Sequence, residues 1–475
     1  MTDRVKSTSA QTWVLLLSAV ASFMVVLDML VVATALSAIQ TDLGASLEEL
    51  EWTVNAYTLS FAVFLMTGAA LGDRYGRRRM FAVGLAVFGL ASAACALAPN
   101  VPSLVAARAV QGTGAALIMP LALTLLNAAF PPERRGWATG VFGSVTGLAA
   151  MLGPVVGGLV TEGLSWPWIF WLNVPIAAIA VPLVLTRLPE SKGPAGRVDL
   201  PGLVLAAGSA LGLTWGLVRA NSVGWTAAET VVALAAGVVL GAAFVAWELR
   251  TQAPMLPLRL FRSRAFSSGN AVIFFVNAAM TAAIFFTAQL PQVAFGEGPL
   301  LAGLRLLPWG VAPFLIAPRA GVLADRIGER PLILIGTGLL TLGTAVLALV
   351  STLNTGYAVT VGPMIVAGIG FSLAIPAVTK AVVSSVAMPD IGRASGTFST
   401  LRQLGGAFGV AIAAAVFAST GGYAGPDVFV DGYRLAIGSA AALALAAVLV
   451  SLPLPPKVKR PTNESADRLA ATVDK

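Results

Sequence analysis

The sequence predicts an all-α polytopic membrane protein with fourteen transmembrane helices. Three observations carry the prediction. Hydrophobic residues make up 57% of the 475 and charged residues only 11%, against about 25% charged in an ordinary soluble domain, which excludes a water-soluble enzyme. Apolar runs of roughly 20 residues, the length that crosses a hydrocarbon core of about 30 Å, recur between Gly, Pro and charged breaks. A short charged motif also occurs twice, at matching places in two groups of six runs.

In order, the runs fall at 13–36, 52–72, 79–98, 102–126, 136–161, 167–187, 199–220, 228–249, 265–291, 300–324, 330–352, 356–379, 393–419 and 432–454. The first follows Arg4 and Lys6 as a signal peptide would, but it continues to Leu36 and holds Asp28, so it reads as a retained helix. An even number of spans puts both termini on one side. That side carries Arg4, Lys6, Arg74, Arg77, Arg78, Arg79, Arg134, Arg135 and most of the later basic residues. The opposite loops hold no Lys or Arg, only acids such as Asp42, Glu48, Glu49, Glu51, Glu297, Asp427 and Asp431. By the positive-inside rule both termini are expected to be cytoplasmic, in the cytoplasmic (cell) membrane. The formal charge of +8 then needs no nucleic acid to explain it. With no histidine and one cysteine, Cys95, an intrachain disulfide is impossible, and no metal site or cofactor is expected.

The repeated motif is LGDRYGRRR from Leu71 to Arg79 and GVLADRIGER from Gly321 to Arg330, after the second and the tenth run. Gly76 and Gly328 allow a tight turn between helices, while Asp73 and Asp325 can pair with arginine or cap a helix. Two copies at equivalent places favour a conformational latch between halves, built from Asp73, Arg74, Gly76, Arg77, Arg78 and Glu133 with Asp325, Arg326 and Gly328. The implied organisation is an N-terminal six-helix bundle at 1–190, an inserted helix pair with linkers at 191–263, a C-terminal six-helix bundle at 264–455 and a cytoplasmic tail at 456–475. Repeats of this kind build many secondary transporters.

The loop resembles the signature of the major facilitator superfamily, and its duplication with an extra span pair resembles the fourteen-span drug:proton antiporter family. Further matches are Arg108-Ala-Val-Gln111-Gly112-Thr-Gly114 in the fourth run, Gly153-Pro154-x-x-Gly157-Gly158 in the fifth, Trp166-x-Trp168-Ile-Phe170 through Asn173-x-Pro175 in the sixth, and Leu401-Arg402-Gln403-Leu404-Gly405-Gly406 in the thirteenth. The resemblance implies a major facilitator fold and efflux of drugs or antibiotics by alternating access, driven by a proton gradient. It also implies that Gly153, Pro154, Gly157 and Gly158 form the antiporter helix motif. Leu30 and Ala33 stand where the family has threonine and asparagine, so the polar neighbourhood of Asp28 is expected to be thin.

Charge inside a bilayer costs about 2.5 to 3.5 kcal/mol on insertion scales, so each buried ion asks for a role. Of the 22 acids only Asp28 sits well inside a run, which makes it the candidate proton site; the alternative is a structural carboxylate bonded to a neighbouring helix. Arg108 is its candidate partner, a fixed cation that tunes a carboxylate without titrating; the alternative is an arginine snorkelling to the boundary. In the resembling family the fourth-span arginine is implicated in proton transfer. The cavity helices the resemblance implies, with their neighbours, offer Asn55, Tyr57, Gln111, Asn127, Phe274, Asn277, Phe285, Gln289, Trp309 and Ser372 as substrate-binding candidates. This mainly apolar set suits small amphipathic organic molecules better than a sugar. One deep carboxylate beside a deep arginine predicts neutral, zwitterionic or monocationic substrates, with divalent cations poor ones.

The other readings are a dedicated exporter of one metabolite or self-made antibiotic and an uptake permease, the latter resting on Pro189-Glu190-Ser191, which faintly resembles sugar porters. A membrane enzyme would need metal ligands or a nucleophile with its base. A channel would show a charge ring or a filter-like loop, and direct ATP drive a Walker-type phosphate loop. The expected partners are the bilayer, protons and the substrate, for a monomer.

Overall fold

The computed structural model describes residues 9–130, 132–192, 199–251, 254, 256, 258–310, 316, 320, 323, 327–386 and 391–455. Every regular element among them is helical. The α-helices are α1 Ser9–Leu43, α2 Leu47–Tyr75, α3 Arg77–Ala96, α4 Val101–Ala129, α5 Pro132–Gly163, α6 Trp168–Trp171, α7 Asn173–Arg187, α8 Leu200–Val223, α9 Ala228–Glu248, α10 Arg264–Phe295, α11 Pro299–Arg305, α12 Glu329–Val350, α13 Tyr357–Ser384, α14 Ile391–Ala418 and α15 Pro426–Ser451. A helix closes its backbone hydrogen bonds within one segment, which hydrocarbon demands of any strand of chain it surrounds.

Twelve described helices are long and apolar enough to cross a membrane, and Glu48–Leu65 with Thr67–Tyr75, bent by 49°, form a further candidate span. Thirteen of the fourteen expected spans are thereby matched. Of the tenth, 300–324, the described residues are 300–310, 316, 320 and 323, among which α11 ends at Arg305.

Helix starts follow capping chemistry. Ser46 opens α2 with a reciprocal box, its backbone N–H donating to Glu49 Oε2 at 2.8 Å and Glu49 N–H to Ser46 Oγ at 3.3 Å. Asn100 opens α4 by accepting from Ser103 N–H at 3.0 Å.

The chain forms two compact units, Met1–Asp199 with Gly298–Leu304, and Leu200–Glu297 with Arg305–Lys475. In the first unit α4 packs between α2 and α3, α1 lies on α5, and α7 lies on α3. Its core is aromatic and aliphatic, with Met24, Tyr57, Phe81, Phe88 and Phe130 fully buried. In the second unit α10 packs on α14 and α15, α12 on α13 and α15, and α8 on α9. Only Thr230, Gly237 and Glu248 of α9 are buried, so an apolar helix with its surface this open is suited to lipid on most sides.

Candidate functional site: a buried ion pair at the meeting of five helices

Asp28, mid-way along α1, is 1% exposed, and so is Arg108 on α4. Arg108 Nη1 donates to Asp28 Oδ2 at 2.6 Å. The other carboxylate oxygen, Oδ1, accepts from Gln111 Nε2 at 2.8 Å and Asn173 Nδ2 at 2.7 Å. Gln111 stands one turn beyond Arg108 on α4, so both reach the same point. Asn173 is there because the chain breaks after the four-residue α6 and restarts as α7 with Asn173 first.

The rest of the network orients these donors. Ser92 of α3 accepts from Gln111 Nε2 at 2.7 Å and Asn173 Nδ2 at 3.3 Å. Arg108 also donates through Nε to the Thr53 carbonyl of α2 at 3.2 Å and through Nη1 to Gln111 Oε1 at 2.6 Å. Its guanidinium lies 4.2 Å from the Tyr57 ring centroid, a cation–π contact, and Tyr57 hydroxyl donates to the Val25 carbonyl at 3.3 Å. Removing two ions from water costs several kcal/mol each, and such a pair is sustained only when further hydrogen bonds complete both partners. Here α1, α2, α3, α4 and α7 all contribute.

This geometry has a chemical consequence. Oδ2 accepts from Arg108 and Oδ1 from Gln111 and Asn173, so a change of charge at this one carboxylate bears on α4 and α7 together. Burial and pairing of Arg108 also dispose of the snorkelling alternative.

Asp28 and Arg108 thus meet as their positions in the sequence suggested. The expected thin surroundings of Asp28 are a correction: Leu30 and Ala33 contribute nothing polar, but α4 and α7 supply the donors. Sequence reasoning missed Ser92, Thr53 and the contact of Asn173, which it held only as part of a motif. A second correction concerns Glu51, expected in an outer loop. The capping box starts α2 at Leu47, so Glu51 lies inside that helix and is buried.

Of the substrate candidates, Tyr57 and Gln111 belong to the ion-pair network. Ser372 spends its hydroxyl on the Gly368 carbonyl of its own helix at 2.6 Å. Asn277 donates to the Arg402 carbonyl at 2.8 Å, and Gln289 donates to the Phe285 carbonyl at 3.0 Å and accepts from Tyr423. Phe285 and Trp309 are buried, and the Phe274 ring lies 6.0 Å from that of Phe408. The Asn127 side chain lies outside the description. A cavity of the second unit is lined by Thr287, Leu290, Arg305, Tyr357, Thr360 and Met364; none of the expected substrate residues borders it.

The duplicated loop forms the expected turns, with Gly76 at φ 109° and Gly328 at φ 91°, values strained for any residue with a Cβ. In the first copy Arg77 pairs with Asp73 at 2.8 Å. Arg78 donates from its backbone to Glu190 Oε1 at 3.0 Å and from Nη1 to the Leu188 carbonyl, the cap of α7, at 3.2 Å. In the second copy Arg330 Nη2 donates to the Leu452 carbonyl, the cap of α15, at 3.0 Å, and Glu329 pairs with Lys380 at 3.0 Å. Both arginines therefore tie the helix after the loop to the C-terminal end of another helix of their own unit, α7 in the first and α15 in the second. Arg74 is exposed against Tyr75; Asp325, Arg326 and the Glu133 side chain lie outside the description. Glu190 was missed as a partner, though Pro189-Glu190-Ser191 had stood out. Arg78→Ala should lower stability by about 1 kcal/mol, a partly exposed pair and one hydrogen bond. It should read as a thermal midpoint a few degrees lower in detergent, and an unchanged midpoint would remove the tie.

In the fifth helix Gly153 and Gly157 lie against α1, and Gly158 against Pro299 and Leu300. A Cβ on Gly157 would come within 2.3 Å of Thr34 Oγ1 and 2.7 Å of the Val31 carbonyl oxygen. The backbones approach too closely for any larger residue.

Long apolar helices around a buried charge network define an integral membrane protein of the polytopic helical class. The chain belongs to the Major Facilitator Superfamily, whose family model matches residues 18–410 and 271–474, and is a transporter rather than an enzyme. It is 34% identical over 436 residues to a tetracenomycin C resistance and export protein of Streptomyces glaucescens, covering 91% of this chain and 80% of that one. It is 36% identical over 468 residues to the cephamycin export protein CmcT of Amycolatopsis lactamdurans, covering 97% and 96%. In fold it is similar to the crystal structure of a bacterial homologue of the human lysosomal transporter Spinster, with a TM-score of 0.68, 16% identity, and coverage of 96% of this chain and 100% of that one.

Proposed function

We propose that this protein exports amphipathic organic compounds across the cytoplasmic membrane by alternating access, exchanging protons for substrate, with both termini cytoplasmic. The observation that carries the reading is the Asp28–Arg108 pair. Neutralising Asp28 would weaken its charge-assisted bonds to Arg108 and Gln111 of α4 and Asn173 of α7, so proton binding would favour rearrangement of those helices. Relatives named for export and resistance support the direction of transport. The halves that alternate are 1–190 and 264–455, with the inserted pair at 191–263 carried along, in a monomer without cofactor. Neutral or monocationic compounds fit best, because Arg108 already neutralises Asp28.

Proteoliposomes with an imposed pH gradient test this. A monocationic dye should move against the proton flux, and a protonophore should stop it. Gradient-independent dye movement would overturn proton exchange. A dedicated exporter of one compound is the second reading, favoured because each of the two relatives carries the name of one compound or class. Transport of a single member of a chemically mixed panel would select it.

A further inference from the structure

Two buried polar side chains of the first unit stand outside the Asp28 network. Glu51 and Asn55 lie one turn apart on α2, and so on one face of it. Glu51 is 1% exposed and Asn55 0%. Glu51 Oε2 and both amide atoms of Asn55 lack a hydrogen-bond partner among the described residues. No cation pairs with Glu51 among those residues either.

Nearby polar groups are already committed. Glu49 closes the capping box with Ser46, Thr53 hydroxyl donates to the Glu49 carbonyl at 2.9 Å, and Thr58 hydroxyl to the Val54 carbonyl at 3.0 Å. Arg108, which reaches the Thr53 carbonyl, is held by Asp28 and Gln111. A buried carboxylate and a buried amide with unused hydrogen-bonding capacity are unfavourable in the empty protein, and in a membrane helix such an ionisable group points to a function.

We propose that Glu51 and Asn55 recognise the protonated amine of an exported compound. Glu51 takes the charge and one ammonium N–H, Asn55 Oδ1 accepts a second N–H, and Asn55 Nδ2 donates to a carbonyl or hydroxyl oxygen beside the amine. The substrate class is an amphipathic monoamine with an oxygen acceptor next to its nitrogen. Glu51 offers a single carboxyl group with no cationic partner among the described residues, whereas Asp28 is paired with Arg108, so the preference is for one cationic group. The idea that Asp28 is the only deep carboxylate is thereby replaced. Both side chains are closed to solvent here, so the ligand reaches them only when that face of α2 opens. The inference rests on the export reading.

Puromycin carries a protonated amine next to an amide carbonyl; N-acetylpuromycin lacks the charge. Wild-type protein in proteoliposomes should export puromycin in preference to N-acetylpuromycin. Glu51→Gln should lower the ratio of their kcat/KM values about ten- to hundredfold, the scale of hydrogen bonds to a charged group, and Glu51→Asp should recover part of it. An unchanged ratio in Glu51→Gln, or a wild-type preference for N-acetylpuromycin, overturns the assignment; the second result needs no variant to fold. Export of the dye without export of puromycin overturns it too. Loss of proton coupling for N-acetylpuromycin in Glu51→Gln would give Glu51 to the proton path instead. Absence of any gradient-driven export by wild type would sink the export reading itself.

Discussion

Asp28→Asn is expected to abolish proton-coupled export and to destabilise the protein by about 3 to 5 kcal/mol, the cost of leaving one member of a buried pair alone. The amide is nearly the size of the carboxylate, so bulk is not the cause. Oδ2 faces Arg108 Nη1 at 2.6 Å, and Oδ1 faces Gln111 Nε2 at 2.8 Å and Asn173 Nδ2 at 2.7 Å. Whichever way the amide turns, its NH2 meets a donor, and Arg108 keeps a charge with no counterpart. Adding Arg108→Gln removes that charge, so the double variant should recover much of the lost stability and none of the coupling. Thermal unfolding in detergent together with proton flux in proteoliposomes separates the two effects. Normal coupling in Asp28→Asn would place the proton site elsewhere.

The second large effect concerns two glycines of one helix. Gly157→Ala should cost about 1 to 3 kcal/mol, the usual range for overpacking, and should impair transport. The added Cβ meets Thr34 Oγ1 at 2.3 Å and the Val31 carbonyl oxygen at 2.7 Å, and the backbone oxygen cannot turn away. Gly143→Ala, on the same helix, meets nothing within 4 Å. It should be neutral or slightly stabilising, since alanine favours helix over glycine by about 1 kcal/mol. Equal behaviour of the two variants would show that close packing on α1 is not what Gly157 provides.

Much of this was legible from the chain because lipid imposes a simple rule on length and polarity. Helix positions, the turns at Gly76 and Gly328, and the importance of Asp28 and Arg108 could be read from apolar runs and isolated charges. The partners of Asp28 could not. Ser92, Thr53 and Asn173 are ordinary residues in membrane helices, and only the crossing of α3, α2 and α7 gives them a role. Glu51 was misplaced because three acids, Glu48, Glu49 and Glu51, read as an outer loop ahead of the second run, whereas Ser46 and Glu49 cap the helix and carry Glu51 inside. Ser372 looked available for a ligand, but serine in a helix readily bonds the carbonyl one turn back. Chain-level reading thus located the charges, and tertiary contacts decided which of them are satisfied.

The ties from Arg78 to the Leu188 carbonyl and from Arg330 to the Leu452 carbonyl have a mechanical meaning. Each runs from the helix after a glycine turn to the C-terminal end of another helix of the same unit, as a strap closes a barrel hoop. A hooped body resists internal shear, so a push at one helix is passed to the rest rather than lost in local creep. A displacement of one tied helix would then be carried by the helix fastened to it.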